Sequence, residues 1–247
     1  MIMSGALDGV VAAVTGASSG IGEATARALA AEGATLALLA RRRDRLESLA
    51  GELGTATTVH EVDVSDADAV AGSIDEVVAR HGRLDVLVNN AGYGTMTPAA
   101  EADLAEWRTM VDVNVNGVLA TTHAALRHLT TAAAGDRGVA DVVTISSVAG
   151  RKVANPAVNV YAATKHAVGA FSEALRQEFA AQHVRIGLVE PGLVRSELTA
   201  ANGALGEVGE LGVMEATDIA EAVIYMVTRP RRVAVNEILV RPIEQTR

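Results

Sequence analysis

Tyr161 and Lys165 bracket the stretch Tyr161-Ala162-Ala163-Thr164-Lys165 in a chain of 247 residues that has only three tyrosines and two lysines. At i and i+4 of a helix the two side chains share one face. A neighbouring ammonium lowers a phenol's pKa from about 10 by roughly one to three pKa units, which makes tyrosine a workable general acid–base near neutrality. A second cluster is the turn Thr15-Gly16-Ala17-Ser18-Ser19-Gly20-Ile21-Gly22, which follows a short apolar run and precedes an alanine-rich stretch. Glycines serve where backbone must turn tightly, approach a pyrophosphate and let a helix pack on a strand. The N–H groups that open the helix then face the phosphates. The spacing is G-x-x-x-G-x-G rather than the G-x-G-x-x-G of the common dinucleotide fingerprint. A third cluster is Ala40-Arg41-Arg42-Arg43. An acid at the end of the second strand reads the ribose hydroxyls of NAD, whereas arginine forks suit a 2′-phosphate. Arg41 and Arg42 therefore point to NADP(H).

The elements that must position these groups are legible from periodicity. Short aliphatic runs predict strands at Val10–Val14, Thr35–Leu39, Thr57–Val62, Val86–Asn89, Asp141–Ile145, Arg185–Val189 and Glu237–Val240. Helical spacing recurs near 20–32, 43–53, 66–81, 103–131, 160–181 and 217–228. Runs apolar at every position suit strands covered on both faces, and strand–helix alternation predicts an α/β doubly wound fold. No linker or repeat interrupts the pattern, so one domain spanning 1–247 is expected. The glycine-rich stretch Gly203–Gly212 reads as a loop, within a substrate segment expected at 198–214.

Composition narrows the chemistry further. The chain has no cysteine, which excludes disulfides, thiolate metal sites and a cysteine nucleophile. Its formal net charge of −9 disfavours a nucleic-acid partner. The N-terminus lacks a basic region followed by a long apolar run, and no apolar stretch approaches the ~20 residues of a membrane span. A soluble, cytoplasmic protein is expected. The six histidines show no metal-ligand spacing, so no metal is expected.

Taken together, the motifs resemble the short-chain dehydrogenase/reductase family nearly end to end. Thr15–Gly22 is similar to the family's T-G-x-x-x-G-x-G cofactor motif, in which Gly16, Ser18, Ser19, Gly20, Ile21 and Gly22 would contact the dinucleotide. Asp63 and Val64 fall where the family contacts adenine. Asn90, Ala91 and Gly92 belong to a match to its N-N-A-G motif. Asn114 matches the helix asparagine that helps hold a proton-relay water. Ser147 matches the catalytic serine, and Tyr161 and Lys165 complete the tetrad. Pro191, Gly192, Val194 and Ser196 resemble the P-G-x-V-x-T segment beside the nicotinamide. The ending Asn236–Pro242 is similar to the subgroup containing clavulanate dehydrogenase and bacterial hydroxy-acid dehydrogenases.

The resemblance implies a Rossmann fold with a seven-stranded parallel sheet flanked by helices. It also implies an NADP(H)-dependent oxidoreductase that interconverts a small-molecule carbonyl and an alcohol. Ser147, Ala149, Tyr161, Tyr93 and Leu193 would border the substrate. The long helices at 103–131 and 160–181 would build a dimer face, commonly within a homotetramer. Two departures stand out: the serine-to-tyrosine spacing of 14 residues is one longer than usual, and Ser196 replaces the usual threonine. The competing reading is a non-catalytic NADP-binding regulator on the same fold. An intact Asn–Ser–Tyr–Lys set argues against it. Arg151, Lys152 and Arg195 lie where a pocket mouth is expected and are candidate receivers for a carboxylate. Tyr225, among apolar neighbours, reads as core, and His166 as turned away from the catalytic face.

Overall fold

Val11–Thr15 forms strand β1, and its alternate residues enter different cores. Ala12 and Val14 pack on one side of the sheet, Val11 and Ala13 on the other. The same division runs through β2 (Thr35–Ala40), where Leu36 and Leu38 oppose Ala37 and Leu39. Fully apolar strands therefore result from burial on both faces. The computed structural model describes residues 5–54, 56–203 and 212–246.

With β3 (Thr58–Glu61), β4 (Val86–Asn89), β5 (Ala140–Ile145), β6 (Val184–Pro191) and β7 (Glu237–Val240), the strands form one seven-stranded sheet in the order β3-β2-β1-β4-β5-β6-β7. Every pairing is parallel. Helices α1 (Gly20–Ala31), α2 (Arg43–Leu53) and α8 (Ala216–Val227) cover one face. Helices α3 (Ala67–His81), α5 (Gly117–Ala133) and α6 (Asn159–Phe179) cover the other. The chain is thus the doubly wound Rossmann architecture expected from its alternation. Strand order reverses between β1 and β4, and the carboxyl ends of strands at such a switch point form a ligand crevice.

Two local features depart from the expected elements. The single helix expected over 103–131 is instead α4 (Leu104–Val111), a π-helical turn at Asp112–Asn116, and α5. A π turn inserts an extra residue into the helical ladder and re-aims the side chains around it. Here Asn114, within that turn, is 1% exposed. Part of the expected 198–214 loop is helical: α7 spans Glu197–Ala201, started by a capping box between Ser196 and Thr199. Of the remainder, 204–211, with Gly206, Glu207, Gly209 and Glu210, lie outside the described residues, and Met214 forms a parallel bridge with Val194.

Candidate active site

The glycine turn is fastened to the end of β4. Thr15 Oγ1 accepts from the backbone N–H groups of Asn90 and Ala91, both at 3.0 Å. Asn90 Nδ2 donates back to the carbonyls of Thr15 (3.0 Å) and Gly16 (3.2 Å). Gly16 has φ of +65°, and a Cβ there would stand 2.9 Å from Ala91 Cα. A Cβ on Gly22 would lie 2.3 Å from the Gly16 carbonyl oxygen, so both positions require glycine. This clamp brings the turn, the start of α1 and the Asn90–Gly92 segment to the switch point.

At the end of β2 the two arginines separate in role. The Arg41 side chain is 75% exposed and lies 3.7 Å from Asp63 Oδ2. Arg42 instead reaches back over the turn, donating from Nε to Ser18 Oγ (3.1 Å) and from Nη2 to Ser19 Oγ (2.6 Å). Its third arm, Nη1, donates to Glu197 Oε2 at 2.8 Å. Arg45 donates to the other oxygen of the same carboxylate at 2.6 Å. Asp63 accepts from the backbone N–H (3.0 Å) and hydroxyl (2.7 Å) of Ser65, and these bonds with Arg41 hold its carboxyl below the usual range despite partial burial. The N-terminus of α1, two serine hydroxyls and a guanidinium that already carries an anionic oxygen form a donor set suited to phosphate.

Across the crevice, α6 carries Tyr161 and Lys165 on one face, as the i, i+4 spacing requires. Lys165 Nζ lies 5.7 Å from the centre of the Tyr161 ring. Ser147 follows β5, and its Oγ accepts from the Ala149 N–H at 3.1 Å. Asn114 Oδ1 accepts from Tyr93 N–H (2.8 Å), while Nδ2 donates to Tyr93 O (2.8 Å) and Thr164 Oγ1 (3.0 Å). Thr164 Oγ1 donates in turn to the Tyr161 carbonyl at 2.7 Å. The π turn is thus tied both to the loop after β4 and to α6, one turn from the phenol.

The electrostatics of this cluster differ from the simple picture of a lysine acidifying a tyrosine. Burial pushes the Tyr161 phenol above its usual range, and a hydrogen bond with Ser147 offsets only part of that. Lys165 is 6% exposed, and burial lowers its pKa to about 8. Its ammonium donates to the Ile145 carbonyl at 2.9 Å rather than to the phenol. Desolvation therefore dominates both groups, and the expected lowering of the tyrosine does not occur in this state.

The structure gathers Asn114, Ser147, Tyr161 and Lys165 beside the Asn90–Gly92 segment; a Cβ on Gly92 would lie 3.6 Å from Asn114 Oδ1 and 4.0 Å from Lys165 Nζ. Pro191 ends β6, Val194 is buried, and Leu193 N–H donates to Gln245 Oε1 at 2.9 Å. Two other readings need correction. Arg151 is no open anion receiver: its Nε donates to both oxygens of the buried Glu190 at 2.8 Å, and its Nη2 donates to Glu237. Arg195 pairs with Glu215 at 2.9 Å, while Lys152 is exposed. Tyr225 is 51% exposed on α8, with the Arg229 guanidinium stacked 4.1 Å from its ring centre, because its apolar neighbours occupy the opposite helix face. His166 is exposed, as its place after Lys165 implied.

Sequence reasoning missed Arg45, Glu197, Thr164 and Gly94. A Cβ on Gly94 would stand 2.7 Å from Tyr161 Cδ2, so its glycine makes room for the phenol ring. The i, i+3 spacing of Arg42 and Arg45 was a usable signal; nothing local marked Glu197, which lies 155 positions from Arg42. Among the described residues, no group of three histidine, aspartate or glutamate side chains is placed to hold a metal ion, and no helix is long and apolar enough to cross a membrane.

A seven-stranded doubly wound sheet, with a glycine turn at its switch point and a Ser–Tyr–Lys cluster facing it, defines the dinucleotide-dependent oxidoreductase class. The short chain dehydrogenase family model matches residues 10–204, and the chain belongs to that family. Sulfoacetaldehyde reductase 2 of Chromohalobacter salexigens is 39% identical over 243 residues, covering 94% of each protein. Among solved structures, the alcohol dehydrogenase of the archaeon Thermococcus sibiricus, complexed with 5-hydroxy-NADP, is 34% identical with a TM-score of 0.86, covering 96% of this chain and 98% of that one. The closed form of a serine dehydrogenase complexed with NADP+ is 31% identical with a TM-score of 0.89, covering 96% and 97%.

Proposed function

We propose that this oxidoreductase uses NADP(H) to interconvert a small carbonyl compound and the corresponding alcohol, with Tyr161 as the general acid–base. The observation that carries the reading is the convergence of Ser147, Tyr161 and Lys165 on the glycine-turn crevice. When bound, the cofactor supplies or accepts the hydride. Gly16, Ser18, Ser19, Gly20, Ile21 and Gly22 would hold its pyrophosphate side, with Asp63 and Val64 toward the adenine. Asn90, Ala91, Gly92, Pro191, Gly192, Val194 and Ser196 would line the remainder. Arg42 would take the 2′-phosphate, with exposed Arg41 beside it.

In the reduction direction, Ser147 Oγ would hydrogen-bond the substrate oxygen and stabilise the negative charge that develops there. The Tyr161 hydroxyl would give its proton to that oxygen; in oxidation, the phenolate would take it back. Lys165, freed from Ile145, would hold the ribose hydroxyls and stabilise the phenolate. Asn114, fixed by Tyr93 and Thr164, would position the water through which Tyr161 is reprotonated. Tyr93, Ala149, Leu193 and the 198–214 segment would border the substrate. The relatives' names point to small alcohols, aldehydes and hydroxy acids as the compounds to try first.

We also place the enzyme in the cytoplasm as a homodimer or homotetramer. The outer face of α4 and α5, with Leu104, Val111 and Leu119 exposed, supports a subunit contact there, which light scattering would detect. The deciding experiment is Tyr161→Phe against a panel of aldehydes, ketones and hydroxy acids. NADPH binding should persist while turnover falls by about 10²-fold or more. Near-normal turnover would remove Tyr161 from the mechanism. Cofactor binding without turnover of any panel member by the native protein would favour the regulator instead.

A further inference from the structure

Glu197 is a carboxylate from the segment after β6 that sits in the arginine cluster at the end of β2. One oxygen accepts from Arg42 Nη1 at 2.8 Å and the other from Arg45 Nη1 at 2.6 Å. Arg42 meanwhile keeps Nε and Nη2 on the hydroxyls of Ser18 and Ser19. The neighbouring Ser196 caps α7 and lies over the glycine turn: a Cβ on Gly20 would be 3.7 Å from Ser196 Cβ. The first turn of α7 is therefore strapped across the phosphate side of the crevice by one carboxylate.

Resting on the NADP(H) reading above, we propose that Glu197 is an internal competitor for the cofactor's 2′-phosphate, and that Arg45 is a second specificity-determining arginine. A phosphate has more charge and more acceptor oxygens than a carboxylate, so it displaces Glu197 from the two guanidiniums. A cofactor without the 2′-phosphate leaves the strap in place. The exchange is inexpensive because the side chains of Arg42, Arg45 and Glu197 are 38%, 49% and 56% exposed. Hydrogen bonds from Arg45 and Arg42 hold the Glu197 carboxyl below its usual range, which keeps it ionised at neutral pH. Glu197 thus tempers the preference for the phosphorylated cofactor that the arginines create, and couples phosphate binding to release of α7.

The test uses adenosine 2′,5′-bisphosphate and adenosine 5′-monophosphate as probes, titrated calorimetrically into the full-length protein. Two exposed ion pairs oppose the phosphate, so Glu197→Gln should tighten the bisphosphate by about three- to tenfold and leave the monophosphate within about twofold. Glu197→Asp keeps the charge but is one methylene too short to span both arginines, and it should shift binding in the same direction. Arg45→Ala should weaken the bisphosphate more than the monophosphate. An unchanged or weakened bisphosphate constant in Glu197→Gln, or wild-type behaviour in Glu197→Asp, overturns the inference while the cofactor reading stands. A wild-type protein that binds both probes alike, with Arg42→Ala weakening them equally, overturns the NADP(H) reading and this inference together.

Discussion

Replacing Lys165 with methionine should make the protein more stable at neutral pH while removing its turnover. The ammonium is 6% exposed, and its pKa falls from 10.5 to about 8 because burial disfavours the charge. At 1.36 kcal/mol per pKa unit, the native state forgoes about 3 kcal/mol at pH 7 by keeping this group charged and out of water. Methionine has a similar length and no charge. It also loses the hydrogen bond to the Ile145 carbonyl, a cost of about 1 kcal/mol. The net gain is about 2 kcal/mol, equivalent to a rise in Tm of roughly 4–8 °C for a chain of this size.

The pH dependence provides the specific test. In the wild type, the native state releases the lysine proton near pH 8, whereas the unfolded chain holds it until about 10.5. Between those values the unfolded state binds more protons, so raising the pH stabilises the wild type and leaves the variant unaffected by this group. The Tm advantage of Lys165→Met should therefore be full below pH 8, shrink between pH 8 and 10.5, and vanish or reverse above that window. Thermal unfolding of both proteins by circular dichroism at several pH values measures it. A variant that melts below wild type at pH 7, or a difference independent of pH, would refute the claim that desolvation sets the state of this lysine.

Two further outcomes follow from the same site. Because burial raises the Tyr161 phenol, the resting residue carries the proton that reduction consumes. Carbonyl reduction should thus be level through neutral pH, while alcohol oxidation should climb with pH into the alkaline range; steady-state rates in both directions test this, and an oxidation rate that peaks near neutrality counts against it. Gly94→Ala places a methyl 2.7 Å from the Tyr161 ring, so kcat should fall by about tenfold or more through displacement of the phenol, with cofactor affinity nearly unchanged. Single-turnover kinetics with separate cofactor titration would distinguish this from a general loss of fold.

Much of the architecture was legible because it rests on local periodicity. The strands expected at Thr35–Leu39 and Asp141–Ile145 appear as Thr35–Ala40 and Ala140–Ile145, since burial on two faces leaves mostly apolar runs; Asp141, the charge within the second, is buried against Arg137 and Arg185. The i, i+4 pair Tyr161 and Lys165 and the glycine turn could be read for the same reason, as each is contained within a few residues. The π turn at Asp112–Asn116 could not, because its residues are compatible with a continuous helix, while the partners of Asn114 within it, Tyr93 and Thr164, come from distant parts of the chain.

What the amino-acid order determined by itself was the set of reactive side chains and the secondary structure that carries them. Tertiary structure decided how those side chains are charged and which are available. Arg151 looked like a free cation until Glu190 and Glu237 were brought to it from strands 39 and 86 positions away. Arg42 found Glu197, and Lys165 lost its water to the surrounding core. Periodicity is a property of neighbours in sequence. Desolvation and charge pairing depend on neighbours in space, and those exist only once the sheet has closed.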